Sequence, residues 1–278
     1  MSTDEEAAAS SDVGRAGPPG FDTGKAHQAR VYDYLLGGKD NFAADRAAVD
    51  AWLQIDPELP FTVRSNRGFL GRVVRYLAAE AGIRQFLDIG TGIPTAGNTH
   101  QVAQAIAPET RVVYVDYDPI VLAHARALLI SSEAGATEYI DADVRDTAKI
   151  LDQASQFLDF TQPVAITLLA LLHAVPDADK PYDIVATLLN AVPAGSYLAI
   201  SHAGSDLIDA DKHDSLMGVA DRMIQNKITY RSREQLGRFF GGTDLVEPGV
   251  VRVEDWRPEP EAAASERSTL WGAVGRKR

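Results

Sequence analysis

Cysteine is absent from this chain of 278 residues. That removes disulfides, thiolate nucleophiles and cysteine-based zinc ribbons from consideration. Also missing is any run of about 18 apolar residues of the kind that spans a bilayer. The N-terminus, MSTDEEAAASSDVGRAGPPG, is acidic where a secretory signal is basic and then apolar. A cytoplasmic protein with no membrane attachment is expected. Positive charge is in deficit, with 27 Lys and Arg against 39 Asp and Glu and a net charge of −12. A broad electrostatic grip on nucleic acid is therefore not expected. There is no G-x-S-x-G elbow and no Walker loop, so hydrolase and P-loop chemistry find no support. His27, His100, His124, His202 and His213 show no H-x-x-x-H or carboxylate spacing and read as surface or capping residues. No metal site is expected.

What is present reads as a soluble globular composition, 45% hydrophobic and 24% charged. Residues 1–24 combine Ala, Ser, Gly, Pro and acidic side chains with almost nothing to bury, the pattern of a disordered arm. Over residues 25–82 apolar positions recur at helical spacing, as in Phe69, Val73 and Leu77 with Leu70 and Val74 between them. This segment is expected to form a helical N-terminal cap or lid, followed by an α/β domain over residues 83–278.

From Gln85 onward short apolar runs alternate with helical stretches: QFLDI then THQVAQAIA, RVVYV then PIVLAHARALLISS, and so on to SYLAISHA and a helix around Ser215 to Gln225. That rhythm predicts βαβ units and a parallel sheet with right-handed crossovers. Asp118-Pro119 supplies a cap and a first-turn proline, after which Val121, Leu122, Ala125, Leu128 and Leu129 trace one apolar stripe. DLVEPGVVRVEDWRP and TLWGAVGRK are strand-like with no convincing helix between them. An antiparallel pair is expected to close the sheet.

Ligands of open α/β sheets bind at the carboxyl ends of the strands. The first strand ends in Asp88, Gly90 and Gly92, glycines that permit a tight turn and close approach. Asp116 ends the second, placed to accept hydrogen bonds from a ribose diol. Asp143 follows the third, placed to accept from an exocyclic amine such as that of adenine. The fourth strand delivers His173 to the rim. Together these point to an adenosine-type ligand. The third glycine of a dinucleotide loop is missing, Pro94 and Thr95 standing where it would fall, so a pyrophosphate cradle is lacking and an NAD-dependent oxidoreductase finds little support.

These motifs, with ARVYDYLLGGKDNFAADR, SNRGFLGRVVRYLA and LLHAVPD, resemble an actinobacterial family of S-adenosylmethionine-dependent methyltransferases long catalogued as a domain of unknown function. The resemblance covers nearly everything from Lys25 to Lys277. It implies a Rossmann-like class I methyltransferase fold, a seven-stranded, mostly parallel sheet with an antiparallel last strand, preceded by a helical cap. It implies S-adenosyl-L-methionine as cofactor; it does not identify the methyl acceptor, for which a small molecule is expected. Asp88, Gly90 and Gly92 are assigned by it to the cofactor's amino-acid end, Asp116 to the ribose hydroxyls, and Asp143 with Val144 to the adenine.

Several assignments stay open. The lengthened loop TGIPTAGNTH either brings Thr95 to the methionine moiety or, with Asn98 and Gln101 as a capping box, only delays the helix. The segment from Arg30 to Arg46 is expected to be a lid, with Tyr32 and Tyr34 enclosing the cofactor, Gly37-Gly38 permitting the bend and Arg30 meeting the cofactor carboxylate; the alternative is a plain helical hairpin. His173 is either a general base or a structural histidine. Trp256 and Trp271 read as packing residues, while Trp52 is a candidate wall for a substrate pocket. A cofactor-binding protein without transfer activity remains the alternative function.

Overall fold

The computed structural model describes residues 22–128, 131–225, 227–258 and 266–278. The arm expected over residues 1–24 lies outside them up to residue 21. So does part of the apolar stripe, since Leu129 and the side chains of Ala125 and Leu128 are not described.

Three helices come first: α1 (Gln28–Leu35), α2 (Ala43–Leu53) and α3 (Leu59–Ala79). The β/α alternation follows as β1 (Gln85–Ile89), α4 (Thr99–Ile106), β2 (Arg111–Asp116), α5 (Pro119–Leu128), β3 (Ala136–Asp141), α6 (Thr147–Ala154), β4 (Ala165–Leu169), α7 (Pro181–Asn190) and β5 (Tyr197–Ala203). The chain then forms α8 (Ala210–Met223), α9 (Arg233–Gly237), β6 (Thr243–Leu245), the two-residue β7 (Val251–Arg252) and β8 (Leu270–Lys277). α8 starts earlier than the sequence pattern indicates, because Asp209 and not a residue near Ser215 precedes its first turn.

Strand order is β3-β2-β1-β4-β5-β8-β6, and β7 pairs separately with β8. β1 to β5 are parallel, whereas β8 runs antiparallel between β5 and β6. The expected sheet with its reversed last strand is thus present, and β7 is an addition to it. β1, β4 and β5 are buried along their whole length, which is why they read as largely apolar runs and not as alternating ones. The edge strand β3 is mostly half-buried.

Alternate side chains feed two cores. Leu87, Ile89, Val113, Val115 and Ile166 pack towards α6 and α7, while Phe86, Val112, Tyr114 and Ala165 pack towards α3 and α4. Phe69, Val73 and Leu77 of α3 are fully buried, each worth roughly 1.5–3 kcal/mol of transfer free energy. α1 and α2 instead form a small cluster with α8, through Val31, Ala48, Val49 and Ala220. Backbone hydrogen bonds from Ala26 N–H to Met223 and from Gln225 N–H to Ala26 tie that cluster together. By packing, the helical segment 25–82 divides into a sheet helix, α3, and a two-helix cap over the strand ends. Among the described residues no helix is long and apolar enough to cross a membrane.

Candidate functional site

A cavity opens at the carboxyl ends of β1, β2 and β4, roofed by α1 and walled on one side by α3. Beyond it a smaller hollow is lined by Asp143, Val144 and Arg145, which follow β3. The two share Gly90, Asp116, Tyr117, Leu171 and Ala174 as a common wall. They form one groove running across the strand ends.

The middle of the groove is organised by two carboxylates. Asp88 accepts from the hydroxyls of Thr99 and Thr167, each at 2.6 Å, so it joins the start of α4 to β4. Asp116 accepts from the Gly92 N–H at 2.8 Å and from the N–H groups of Tyr117 and Asp118 at 2.8 and 3.1 Å. Burial raises the pKa of both carboxyls, the usual effect of low polarisability on a charged acid. Gly90 has φ +77°, and a Cβ there would stand 2.6 Å from the Leu171 side chain. A larger residue would push Leu171 out of the wall the two hollows share. At Gly92, with φ +64°, a Cβ would meet nothing within 4 Å. Asp143 lies at the far end, paired with Arg145 at 2.8 Å.

The 93–98 loop caps its helix, one of the two readings left open by the sequence. Gln101 accepts from the N–H groups of Gly97 and Asn98, each at 2.9 Å, and Asn98 accepts from Thr95 N–H at 3.1 Å. This caps α4 at Thr99 as the spacing predicts. Arg67 of α3 fastens the loop from outside, donating to the carbonyls of Ala96 and Gly97 at 3.0 and 3.1 Å. The Thr95 side chain is left over: its hydroxyl is buried and has no hydrogen-bond partner among the described residues. Thr95 lines the cavity.

In the cap, His27, Gln28, Tyr32 and Asp33 line the cavity, and Arg30, Tyr34 and Gly38 do not. Arg30 is buried beside Asp45, 3.4 Å away, and donates to the Lys25 carbonyl at 2.8 Å. It holds α1 to α2 and does not line the cavity. Tyr34 packs on the α1–α2–α8 cluster. Gly38 is pressed against Asp33, where a Cβ would come within 2.0 Å of the carboxylate. Its small size serves the turn in which Asp33 accepts from Asp40 N–H and the Asn41 amide, both at 2.9 Å. The cap is fixed to the domain by His27, whose Nδ1 lies 2.7 Å from Asp118 and whose Nε2 lies 3.2 Å from the Tyr117 hydroxyl. Burial would raise the pKa of the Asp118 carboxyl, but the His27 contact outweighs it and holds the acid below its ordinary value.

His173 does not stand on the rim. It is buried in a short turn after β4, touching the Gln28 amide through Nε2. Burial, and then the nearby Arg231, hold its pKa down at about 4. Arg231 is itself buried and donates to the carbonyls of Leu172 and Val175, to His202 Nε2 and to Asp177, at 2.6 to 2.9 Å. His202, expected at the surface, is fully buried here, and burial followed by His173 lowers its pKa to about 3. His100 is also buried, its N–H and Nδ1 both 2.8 Å from the Tyr114 hydroxyl. Isolated histidines carry no sequence pattern that reveals such internal partners. Among the described residues no group of three His, Asp or Glu side chains is placed to hold a metal ion.

Residues 15–278 match the model of a family described as S-adenosyl methyltransferase. The chain belongs to that family. It is 45% identical to a DUF574-family protein from Streptomyces avermitilis MA-4680, with a TM-score of 0.87, covering 92% of this chain and 99% of that one. It is 41% identical to a protein from Thermobifida fusca YX provisionally named a methyltransferase, with a TM-score of 0.84, covering 94% of this chain and 98% of the other. No curated protein matches the chain. For a member of an S-adenosyl methyltransferase family, the groove has suitable chemistry: a carboxylate at Asp116 for a diol, an unpaired hydroxyl at Thr95, and a guanidinium at Arg67 for a carboxylate. Arg67 and Gln28 were not legible as site residues. Arg67 precedes the apolar stripe of an ordinary helix, and Gln28 precedes any motif.

Proposed function

We propose that the protein binds S-adenosylmethionine in this groove and transfers its methyl group to a small-molecule acceptor. The observation that carries the reading is the tie between Gly92 N–H and Asp116 at the centre of a groove that ends in the unpaired Thr95 hydroxyl. Asp116 holds the ribose hydroxyls, with Gly92 close enough to leave them room. Val144 and the backbone beside Asp143 border the adenine. Thr95 and Arg67 meet the amino and carboxylate groups of the methionine end, and Asp88 shapes that end by fixing Thr99 and Thr167. Tyr32 of α1 and His27, which caps that helix, close the groove against water.

When bound, S-adenosylmethionine supplies a methyl group activated by an adjacent sulfonium. The chain's own contribution is to position an acceptor in line with that group and to exclude water, the factors that dominate such displacements. His173 is held neutral at physiological pH, so it orients an acceptor by hydrogen bonding and is too weak a base to ionise a hydroxyl by itself. Calorimetric titration with S-adenosylhomocysteine tests the proposal: saturable binding is expected, and no heat at millimolar ligand would overturn it.

A further inference from the structure

A second cavity lies beside the groove, between α1, α2, α8 and the ends of β4 and β5, and it shares Gln28, Tyr32 and Ala170 with the first. Ala170, at this junction, has φ +52°. A non-glycine residue in that region is strained, and such strain concentrates where a site fixes its backbone. Here the fixing is visible. Ala170 N–H donates to Ser201 Oγ, Ser201 donates to Asn66, and the Asn66 amide donates to the Tyr32 hydroxyl, at 2.9, 2.6 and 3.0 Å. The partition between the cavities is thus a hydrogen-bonded unit drawn from α1, α3, β5 and the β4 loop.

The walls of the second cavity have a distinct chemistry. Tyr32, Trp52 and Tyr230 supply aromatic faces, and Leu35, Leu216 and Ile228 supply aliphatic ones. The Trp52 indole is fixed by its bond to the Leu216 carbonyl at 3.1 Å. No Lys or Arg side chain is among the described lining residues. The acid in the wall, Asp56, is buried and paired with Lys212 at 2.9 Å. Nothing here offsets the cost of bringing a phosphate or a second carboxylate out of water. Among the described lining residues the one buried side-chain polar atom without a hydrogen-bond partner is His173 Nδ1, on the residue that Gln28 meets at the junction.

We propose that this second cavity holds the methyl acceptor, and that the acceptor is a neutral, largely apolar ring compound whose single hydroxyl or amine meets the Gln28–His173 pair. The inference rests on the methyltransferase reading for the word acceptor; the preference for a neutral aromatic ligand rests on the cavity alone. Offset stacking on Trp52 or Tyr230 orients a planar ring. The polar group at the junction is then directed to the partition with the cofactor groove.

The test uses 2-naphthol and 2-naphthyl phosphate as probes, titrated into the full chain with and without S-adenosylhomocysteine and followed by ligand-observed NMR. Saturable binding of 2-naphthol is expected, with 2-naphthyl phosphate at least about tenfold weaker. Leu35→Trp and Ile228→Trp, which fill the cavity from two sides without touching the groove, are each expected to weaken 2-naphthol by about tenfold and to leave S-adenosylhomocysteine affinity within about twofold. Retained S-adenosylhomocysteine binding also shows that a variant is folded, and either variant suffices. Equal or tighter binding of the phosphate, no binding of 2-naphthol, or unchanged 2-naphthol affinity in a folded variant would each overturn the proposal. Failure of the wild-type chain to bind S-adenosylhomocysteine would overturn the cofactor reading instead, and the naphthol result would still decide the chemistry of the cavity.

Discussion

Gly92 donates its N–H to the carboxylate of Asp116 at 2.8 Å, linking the loop after β1 to the end of β2 across the floor of the groove. The same carboxylate is the proposed ribose acceptor. Removing it takes away both the ligand contact and the preset position of the loop. Asp116→Ala is expected to weaken S-adenosylhomocysteine by roughly 2–3 kcal/mol, the scale of hydrogen bonds to a charged partner. Calorimetry of the variant reads this directly, and undiminished affinity would remove Asp116 from the site.

Thr95→Val replaces the buried, unpaired hydroxyl with a methyl group of similar shape. Because no bond within the chain is lost, the melting temperature is expected to hold or rise slightly. Affinity for S-adenosylhomocysteine is expected to fall by about 0.5–1.5 kcal/mol, a neutral hydrogen bond's worth. A variant with full affinity would assign Thr95 to the turn alone.

The buried histidines give stability a pH dependence whose sign is fixed. Their folded values, about 4 for His173 and about 3 for His202, lie below the ordinary 6.5. As pH falls from 6.5 towards 4 the unfolded chain therefore binds protons that the folded chain refuses, and stability is lost at up to about 1.4 kcal/mol per pH unit for each histidine. Asp88 and Asp116 act in the opposite sense near the carboxylate range, because burial makes the folded chain take up protons first. Urea denaturation between pH 6.5 and 4.5 should show a shallower loss in His202→Gln than in the wild type. Parallel curves would contradict the assignment.

Arg231 anchors the turn that carries His173, through two backbone carbonyls, one imidazole and one carboxylate. Arg231→Met leaves the carbonyls of Leu172 and Val175 buried without that donor and should cost about 3 kcal/mol. Arg231→Lys should recover little, since one ammonium cannot reproduce the planar fork. Chemical denaturation distinguishes these results from a surface role, for which both changes would fall within about 0.5 kcal/mol.

Ala170→Gly relieves the left-handed conformation at the partition. The strain removed, about 1–2 kcal/mol, exceeds the extra chain entropy of glycine, about 0.5–1 kcal/mol. A net gain in stability is expected by urea titration; a loss would mean that the Ala170 methyl group packs more tightly than its position implies.

The sheet could be read from the sequence because strands buried on both faces need largely apolar runs, and QFLDI or AITLL leave few other options. Gly92, Asp116 and Asp143 followed from that register as strand-end residues, whereas Val144 came only with the family resemblance. The cap was harder. Tyr32 and Tyr34 look equivalent in ARVYDYLL, yet residues two apart on a helix point to nearly opposite sides. Gln28 and Tyr32, four apart, share the face above the cavities, whereas Arg30 and Tyr34, also four apart, share the face turned away from them. The helical period contained that distinction, and aromatic density alone did not. For Arg231 and His202 no local pattern existed, since their partners come from distant segments of the chain.

The placement of β8 between β5 and β6 bears on the protein's synthesis. This strand is translated after every other one, and until it emerges the sheet has an open seam where both of its neighbours present unpaired backbone. Leu270, its first residue, also lines the second cavity, together with Gln28 from the other end of the fold. The groove is lined by residues that all precede β5, whereas the adjoining cavity also needs α8 and β8. The walls of the groove are therefore synthesised before the last wall of its neighbour.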